Sequence, residues 1–249
     1  MEYRMHLHRA RPVVVSASTA DHCLTCGVRT TSVCNAIPDT DMARLAGAAE
    51  PLEIARGHTF IEEGQPAGNF YNVTGGTAKL YKLLPDGRQQ ITGFAGRGHF
   101  LGLAHSNTYA FTAEAIEPVR LCRFTRTRLT ALIHDFPQLE QRLLDFACNE
   151  LATAQEQMLL LGRKTARERV ASFLAMRLRE ADPCGHAREM HLPMTRGEIA
   201  DYLGLTIETV SRVFSRFRAE KRIALPSNDR VVVLDQTWLR ALAEGSMED

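Results

Sequence analysis

The chain predicts an α+β fold in three successive parts, and three observations carry that expectation. From Glu50 to about Thr127, short runs rich in β-branched and aromatic residues (HTFI, NFYNV, TAKLYKLL, QQITGF, PVRLCRF) alternate with glycine-containing turns (EEG, TGG, LPDG, AGRGH), the pattern of a small all-β barrel or sandwich. Residues 128 to 161 then lose the strand signal and keep an apolar helical stripe. The last third offers two short helical patterns meeting at a glycine, followed by a two-stranded β signal.

Taken in order, residues 1 to 38 show little periodicity beyond the run Val13-Val14-Val15. That run is too short for the apolar core of a signal peptide, and nothing approaches the roughly eighteen apolar residues of a membrane span. A cytoplasmic protein with no membrane partner is the expectation. DTDMARLAGAA, residues 39 to 49, reads as a short helix capped by Asp39 or Thr40, with Leu45 on its apolar side. Within the β region, Pro85-Asp86-Gly87 supplies the turn of a hairpin.

Pro137 stands near the start of a long helix. Along it Leu143, Ala147, Leu151, Ala154, Met158 and Leu161 are spaced by 4, 4, 3, 4 and 3, which makes one continuous seam. A small barrel cannot cover about seven turns of helix. The seam is therefore expected to face the same helix of a second subunit, with the two alanines allowing close approach. Gly162 reads as a break or hinge, and Arg163 to Glu180 as a further helix with Val170, Phe173, Leu174 and Leu178 inward. Residues 181 to 189 read as a loop.

Thr195 and Glu198 have the spacing of a capping box, whose helix ends at Gly204. Thr206 caps a second helix buried along Val210, Val213, Phe214 and Phe217. IAL, an SND turn and VVVL then form a wing, and Asp235 caps a last helix through Trp238. The formal net charge is +1, but residues 163 to 230 hold fourteen Lys/Arg against nine Asp/Glu, a local +5 that leaves −4 elsewhere. A basic module joined to a mildly acidic one fits double-stranded DNA on one side only. In a helix-turn-helix the outward residues of the second helix meet base edges in the major groove. Here those are Glu208, Ser211 and Arg212: a carboxylate accepts from cytosine N4 and a guanidinium grips guanine O6 and N7. Thr206, Thr209, Ser215, Arg216 and Lys221 are placed for backbone or flanking contacts. No nucleophile–base set and no substrate-binding glycine loop accompanies them, so an enzyme is not expected.

HCLTCGVRTTSVC, residues 22 to 34, puts Cys23, Cys26 and Cys34 close together. Structural zinc usually takes paired C-x2-C knuckles, and here there is one, with His22 poorly disposed as a fourth ligand beside Cys23. An iron–sulfur cubane wants four thiolates, so a distant cysteine must complete the set. Cys122 lies on a late β run, Cys148 beside the helical seam as a small hydrophobe, and Cys184 in the basic module's loop. Metal or cluster, thiol redox switch and no cofactor all stay open on the residues alone.

The combined order of parts resembles the CRP/FNR superfamily of bacterial transcription regulators, over residues 22 to about 240. Glu208-Thr-Val-Ser211-Arg212 is similar to the E-x-x-S-R reading motif of its FNR branch. The resemblance implies a cyclic-nucleotide-binding-like β-barrel (jelly roll), a long dimerisation helix and a C-terminal winged helix-turn-helix. It also implies a 4Fe-4S cluster held by Cys23, Cys26, Cys34 and Cys122, in a C-x2-C-x7-C spacing like that of the FnrN/FnrL-type proteins. Residues 1–38 would then be the cluster-ligand segment, 39–130 the sensor domain, 131–162 the dimerisation helix and 163–249 the DNA-binding domain. A homodimer binding a TTGAT-N4-ATCAA-like palindrome under low oxygen, and acting as an activator with RNA polymerase, follows from the same resemblance. Thiol oxidation, nitric oxide or haem are the other sensing routes, the last through His99 or His105.

Two departures from the family pattern stand out. Relatives that bind cyclic nucleotides carry a glutamate after F-G and a later Arg-Ser/Thr pair; this chain has Leu103 after the glycine and Tyr109-Ala110 at the pair, so no cyclic nucleotide is expected. The enterobacterial sensor places an acidic residue on its dimer helix where this chain has Ala154, and Glu150, bordering the seam, is the candidate substitute.

Overall fold

The structure, a computed structural model, describes residues 13–14, 20–104, 107–182 and 186–246. The chain divides into two compact units, Met1–Leu151 and Ala152–Asp249. Among the described residues no helix is long and apolar enough to cross a membrane.

The first unit starts with strand β1 (Val13–Val14), helix α1 (Ala20–Leu24), 3-10 turns at Val33–Ala36 and Asp39–Asp41, and α2 (Met42–Ala48). Eight strands follow: β2 (Ala49–Ile54), β3 (Thr59–Ile61), β4 (Asn69–Gly75), β5 (Ala78–Leu83), β6 (Gln89–Ala95), β7 (Phe100–Leu101), β8 (Thr112–Ala115) and β9 (Val119–Thr125). Helices α3 (Arg126–Asp135) and α4 (Pro137–Arg163) come next, and α4 continues past the boundary of the unit. The described strands form two separate sheets, ordered β1-β2-β9-β4-β7 and β3-β8-β5-β6.

Strand alternation explains how these sheets make two different cores. On β9, Val119 and Leu121 point into the core between the sheets, while Cys122 and Phe124 point the other way. That outer face packs under Val33, Ile37, Met42 and Leu45 from the N-terminal segment, and under Leu129, Leu132, Phe136, Leu139 and Leu143 from α3 and α4. The sequence reading left residues 1 to 38 irregular. In the structure Ala20–Ile37 is a chain of tight turns pinned by Val28, Val33 and Ile37, each at most 2% exposed. Those positions fit neither the helical nor the strand period, which hides them from pattern reading. The helix expected over residues 39 to 49 begins as a 3-10 turn and becomes α2 only at Met42, with no side-chain cap; Ala49 already belongs to β2. Pro85-Asp86-Gly87 does turn the β5–β6 hairpin, with Gly87 at φ +87°.

The second unit holds the remainder of α4, then α5 (Ala166–Ala181), β10 (Glu189–His191), α6 (Arg196–Leu203), α7 (Ile207–Ala219), β11 (Ile223–Ser227), β12 (Arg230–Val233) and α8 (Gln236–Ala243). Gly162 is helical, contrary to the expected break there. The interruption lies at Lys164-Thr165, because Thr165 and Glu168 form a capping box that starts α5. Arg169 secures this junction: Nη2 donates to the Leu161 carbonyl at 2.9 Å, Nε to Lys164 at 2.9 Å and Nη1 to Leu203 at 3.0 Å. The wing has a third strand that begins at the last residue of the region read as a loop, since β10 pairs with β12 through Met190↔Val231.

Candidate functional site

In the first unit, four thiols from two distant stretches meet. Cys23 sits on α1, Cys26 in the turn that follows, Cys34 in the 3-10 turn capped by Ser32, and Cys122 on β9. They line one small cavity with His22, Arg29, Leu45, Ala49, Asn72 and Phe124. Cys23 and Cys122 are buried, Cys26 and Cys34 partly so, and none is in a disulfide. Burial pushes the Cys34 and Cys122 thiols up to about 12, with the neighbouring thiols adding to the shift. Among the described residues, no three His, Cys, Asp or Glu side chains converge closely enough to hold a single metal ion.

Sequence reasoning picked out these four cysteines but missed two polar residues beside them. Arg29 Nη2 donates to the Ile37 carbonyl at 2.9 Å and pairs with Asp39 at 2.5 Å. Asn72, 1% exposed, stands opposite Cys122 across the β4–β9 ladder. A signal for Asn72 was present: it is the polar residue within the apolar run NFYNV. Cys148 is exposed on α4, so within the chain it does not pack as a small hydrophobe. Cys184 and His105 lie outside the described residues. The His99 ring is within 3.1–3.2 Å of Gly96 backbone atoms, closing the local turn. Leu103 is exposed, whereas Tyr109 is buried and its hydroxyl donates to the Asn69 carbonyl at 2.8 Å.

The second unit presents the expected pair of helices joined at a glycine. The Thr195–Glu198 capping box forms, Gly204 adopts φ +61° at the turn, and Thr206 accepts from Thr209 N to start α7. A side chain at Gly204 would need a left-handed backbone and would crowd Leu161 Cδ2 at 3.2 Å. Val210, Val213, Phe214 and Phe217 bury one side of α7, and Phe217 packs edge-on against Trp238 at 4.9 Å. Glu208, Ser211 and Arg212 are exposed on the other, as are Thr206, Ser215, Arg216 and Lys221; Thr209 is half-buried. The Glu208 backbone N–H and the Thr206 hydroxyl hold the Glu208 carboxyl below its ordinary range, so it is an acceptor at neutral pH. Arg212 Nη2 donates to Thr209 Oγ1 at 3.4 Å, and Arg216 Nε to Glu220 at 2.8 Å. Lys221 ends the helix at φ +55°, the one non-glycine positive φ among the described residues.

On α4 the exposed apolar positions differ by one residue from the expected seam. Leu143 is buried in the first unit's core and is not available to a partner. Leu144, Leu151 and Met158, at intervals of seven, are 56%, 60% and 72% exposed. Ala147 and Ala154 are exposed between them, Glu150 is exposed, and Leu161 is partly buried.

Comparison with known proteins agrees with both units. Residues 51–136 match the cyclic nucleotide-binding domain family, and residues 168–242 the Crp-like helix-turn-helix domain family. The chain is 44% identical to the transcriptional activatory protein AadR of Rhodopseudomonas palustris, over 88% of this chain and 91% of that one. It is 40% identical to the nitrogen fixation regulation protein FixK of Bradyrhizobium diazoefficiens, over 94% and 99%. Among solved structures, FixK2 from Bradyrhizobium japonicum superimposes with a TM-score of 0.73 at 36% identity, over 78% of this chain and 96% of that one.

Proposed function

The chain belongs to the CRP/FNR superfamily of DNA-binding transcription regulators, not enzymes, and from that premise we propose that it is an oxygen-responsive activator controlled by a 4Fe-4S cluster. One observation carries the reading: Cys23, Cys26, Cys34 and Cys122 line a common cavity, in a chain that also presents Glu208, Ser211 and Arg212 on an exposed reading helix. The donor set fits the group. A zinc ion needs ligands converging at about 2.3 Å from sulfur, whereas a cubane takes each thiolate at a separate iron corner. Four thiols lining one cavity suit the second donor set. The buried Arg29 Nε–H, without a hydrogen-bond partner among the described residues, adds a donor that a sulfur-rich ion could engage.

When bound, the cluster supplies an oxygen-labile link between the N-terminal turns and β9. The chain supplies the rest. Cys23, Cys34 and Cys122 share one core with Leu139 and Leu143 on the first turns of α4, so any change in how Ala20–Ile37 sits is felt at the start of that helix. Leu144, Leu151 and Met158 would then meet a second copy, which brings two reading helices onto the two halves of a TTGAT-N4-ATCAA-like palindrome. Glu208, Ser211 and Arg212 would contact bases; Thr206, Thr209, Ser215, Arg216 and Lys221 would steady the backbone. Oxygen shifts a population between two states, and no reaction is catalysed. Tyr109 leaves no guanidinium at its position for a cyclic phosphate.

Anaerobic purification followed by iron and acid-labile sulfide analysis tests the reading. About four of each per subunit is expected. Cys122→Ser should abolish loading while Cys148→Ser leaves it intact. A colourless, zinc-loaded protein, or equal loading in both variants, would contradict it.

A further inference from the structure

Two polar side chains in the wall of the cysteine cavity each leave a buried atom unmatched among the described residues. Asn72 is 1% exposed and its Oδ1 has no hydrogen-bond partner among the described residues. Arg29 Nε is likewise buried and unpartnered, although Nη2 of the same side chain is engaged twice. Both residues line the cavity, and the rest of its wall away from the thiols and His22 is Leu45, Ala49 and Phe124. A buried polar group left unmatched costs about 1–3 kcal/mol, more if charged. Leucine at position 72 would fill similar space at lower cost, so the amide is not there for packing.

Local structure places both residues in the same wall as the thiols. Asn72 and Cys122 are directly opposed on antiparallel strands, which puts their side chains on one face. The Arg29 N–H bonds the Cys26 carbonyl at 3.0 Å, one turn after that cysteine. Its guanidinium is then fixed by Ile37 and Asp39, so Nε–H is held in place while Nη2 is occupied. No hydrogen bond fixes which end of the Asn72 amide faces the cavity, and a half-turn about its terminal torsion presents Nδ2–H2.

This inference rests on the cluster reading above. We propose that the Asn72 carboxamide and Arg29 Nε–H are the hydrogen-bond donors to the sulfur atoms of the bound iron–sulfur group, and that they set how readily oxygen oxidises it. Four thiolates and their ion bring negative charge into an otherwise apolar cavity, and donors to sulfur stabilise the more negative, reduced form. Both are positioning residues, acting through the ligands and not as ligands.

The test uses the full chain reconstituted anaerobically as wild type, Asn72→Leu, Arg29→Met and Arg29→Lys. Iron and sulfide content, midpoint potential, bleaching rate in air and the melting temperature of the metal-free protein are measured on each. Asn72→Leu and Arg29→Met should load as wild type does, show a lower midpoint potential and bleach about tenfold faster, the usual scale for an outer-shell partner. Arg29→Lys keeps the charge without the fixed Nε–H and should fall between. Metal-free Asn72→Leu should melt at or above the wild-type temperature, since an orphaned amide is removed. Failure to load in a variant whose metal-free melting is unchanged also supports the role. Wild-type potential and bleaching in both Asn72→Leu and Arg29→Met overturn it, as does a lowered melting temperature in Asn72→Leu. Wild-type protein that takes up no iron and sulfide overturns the cluster reading itself, whatever the variants do.

Discussion

Arg212 is exposed on the open face of α7, where its guanidinium makes a long contact to Thr209. A bidentate contact to guanine discriminates by about 1–3 kcal/mol, so Arg212→Ala should weaken palindrome binding by that amount and relax selectivity at one G·C pair. Competition gel shifts with single-base variants read both effects. Arg216, held by Glu220, should matter less and without base preference. The cysteines make a second residue-scale prediction. A thiol pKa raised to about 12 leaves little thiolate at neutral pH, and the thiolate is the reactive form. In metal-free protein, alkylation should therefore reach exposed Cys148 before Cys34 and Cys122, and labelling of those two should accelerate as pH rises. Early labelling of Cys34 and Cys122 at neutral pH would favour a thiol switch. The exposed positions of α7 and the N-terminal thiols were legible in the sequence because each set stands in a short motif. Arg29 was not, since what singles it out is its place in a folded cavity, and Asn72 showed only as a polar interruption of an apolar run.

Element boundaries show where pattern reading slips by a residue. The spacing 143, 147, 151, 154, 158, 161 mixes a core-facing position with an outward heptad, and only burial separates Leu143 from Leu144. Two consecutive leucines satisfy the periodicity equally well, so the sequence could not choose between them. The correction has a consequence. A carboxylate at Leu151, in the middle of the outward heptad, would face its own copy without a counter-charge. Leu151→Glu should raise the dimer dissociation constant by at least about a hundredfold, on the scale of breaking a buried pair. Leu143→Ala should leave dimerisation alone and cost roughly 2–5 kcal/mol of sensor-domain stability instead. Sedimentation equilibrium and denaturant unfolding separate the two. The α4–α5 junction shifted for a similar reason: glycine is a weak break, whereas the Thr165–Glu168 capping box that sets the new start lies three residues further on. β10 was hidden because three residues between polar neighbours carry too little alternation to register.

At the scale of the whole molecule, the order of parts was readable because each has a distinct period, and the two sheets, the helices and the wing all appear where those periods change. What the sequence left open was physical continuity between the cysteine cavity and α4. That continuity is now specific: strand alternation on β9 sends Cys122 and Phe124 into the core that also holds Leu139 and Leu143. The central claim is that the state of the cysteine site is coupled to DNA binding, with a coupling of about 1–3 kcal/mol, or 5–150-fold in affinity. The direct measurement is fluorescence anisotropy of a labelled TTGAT-N4-ATCAA duplex with anaerobically loaded protein, aired in steps, with iron and sulfide determined in the same samples. Affinity should fall in step with cluster loss and by an amount in that range. Undiminished affinity in protein stripped of iron and sulfide would contradict the account.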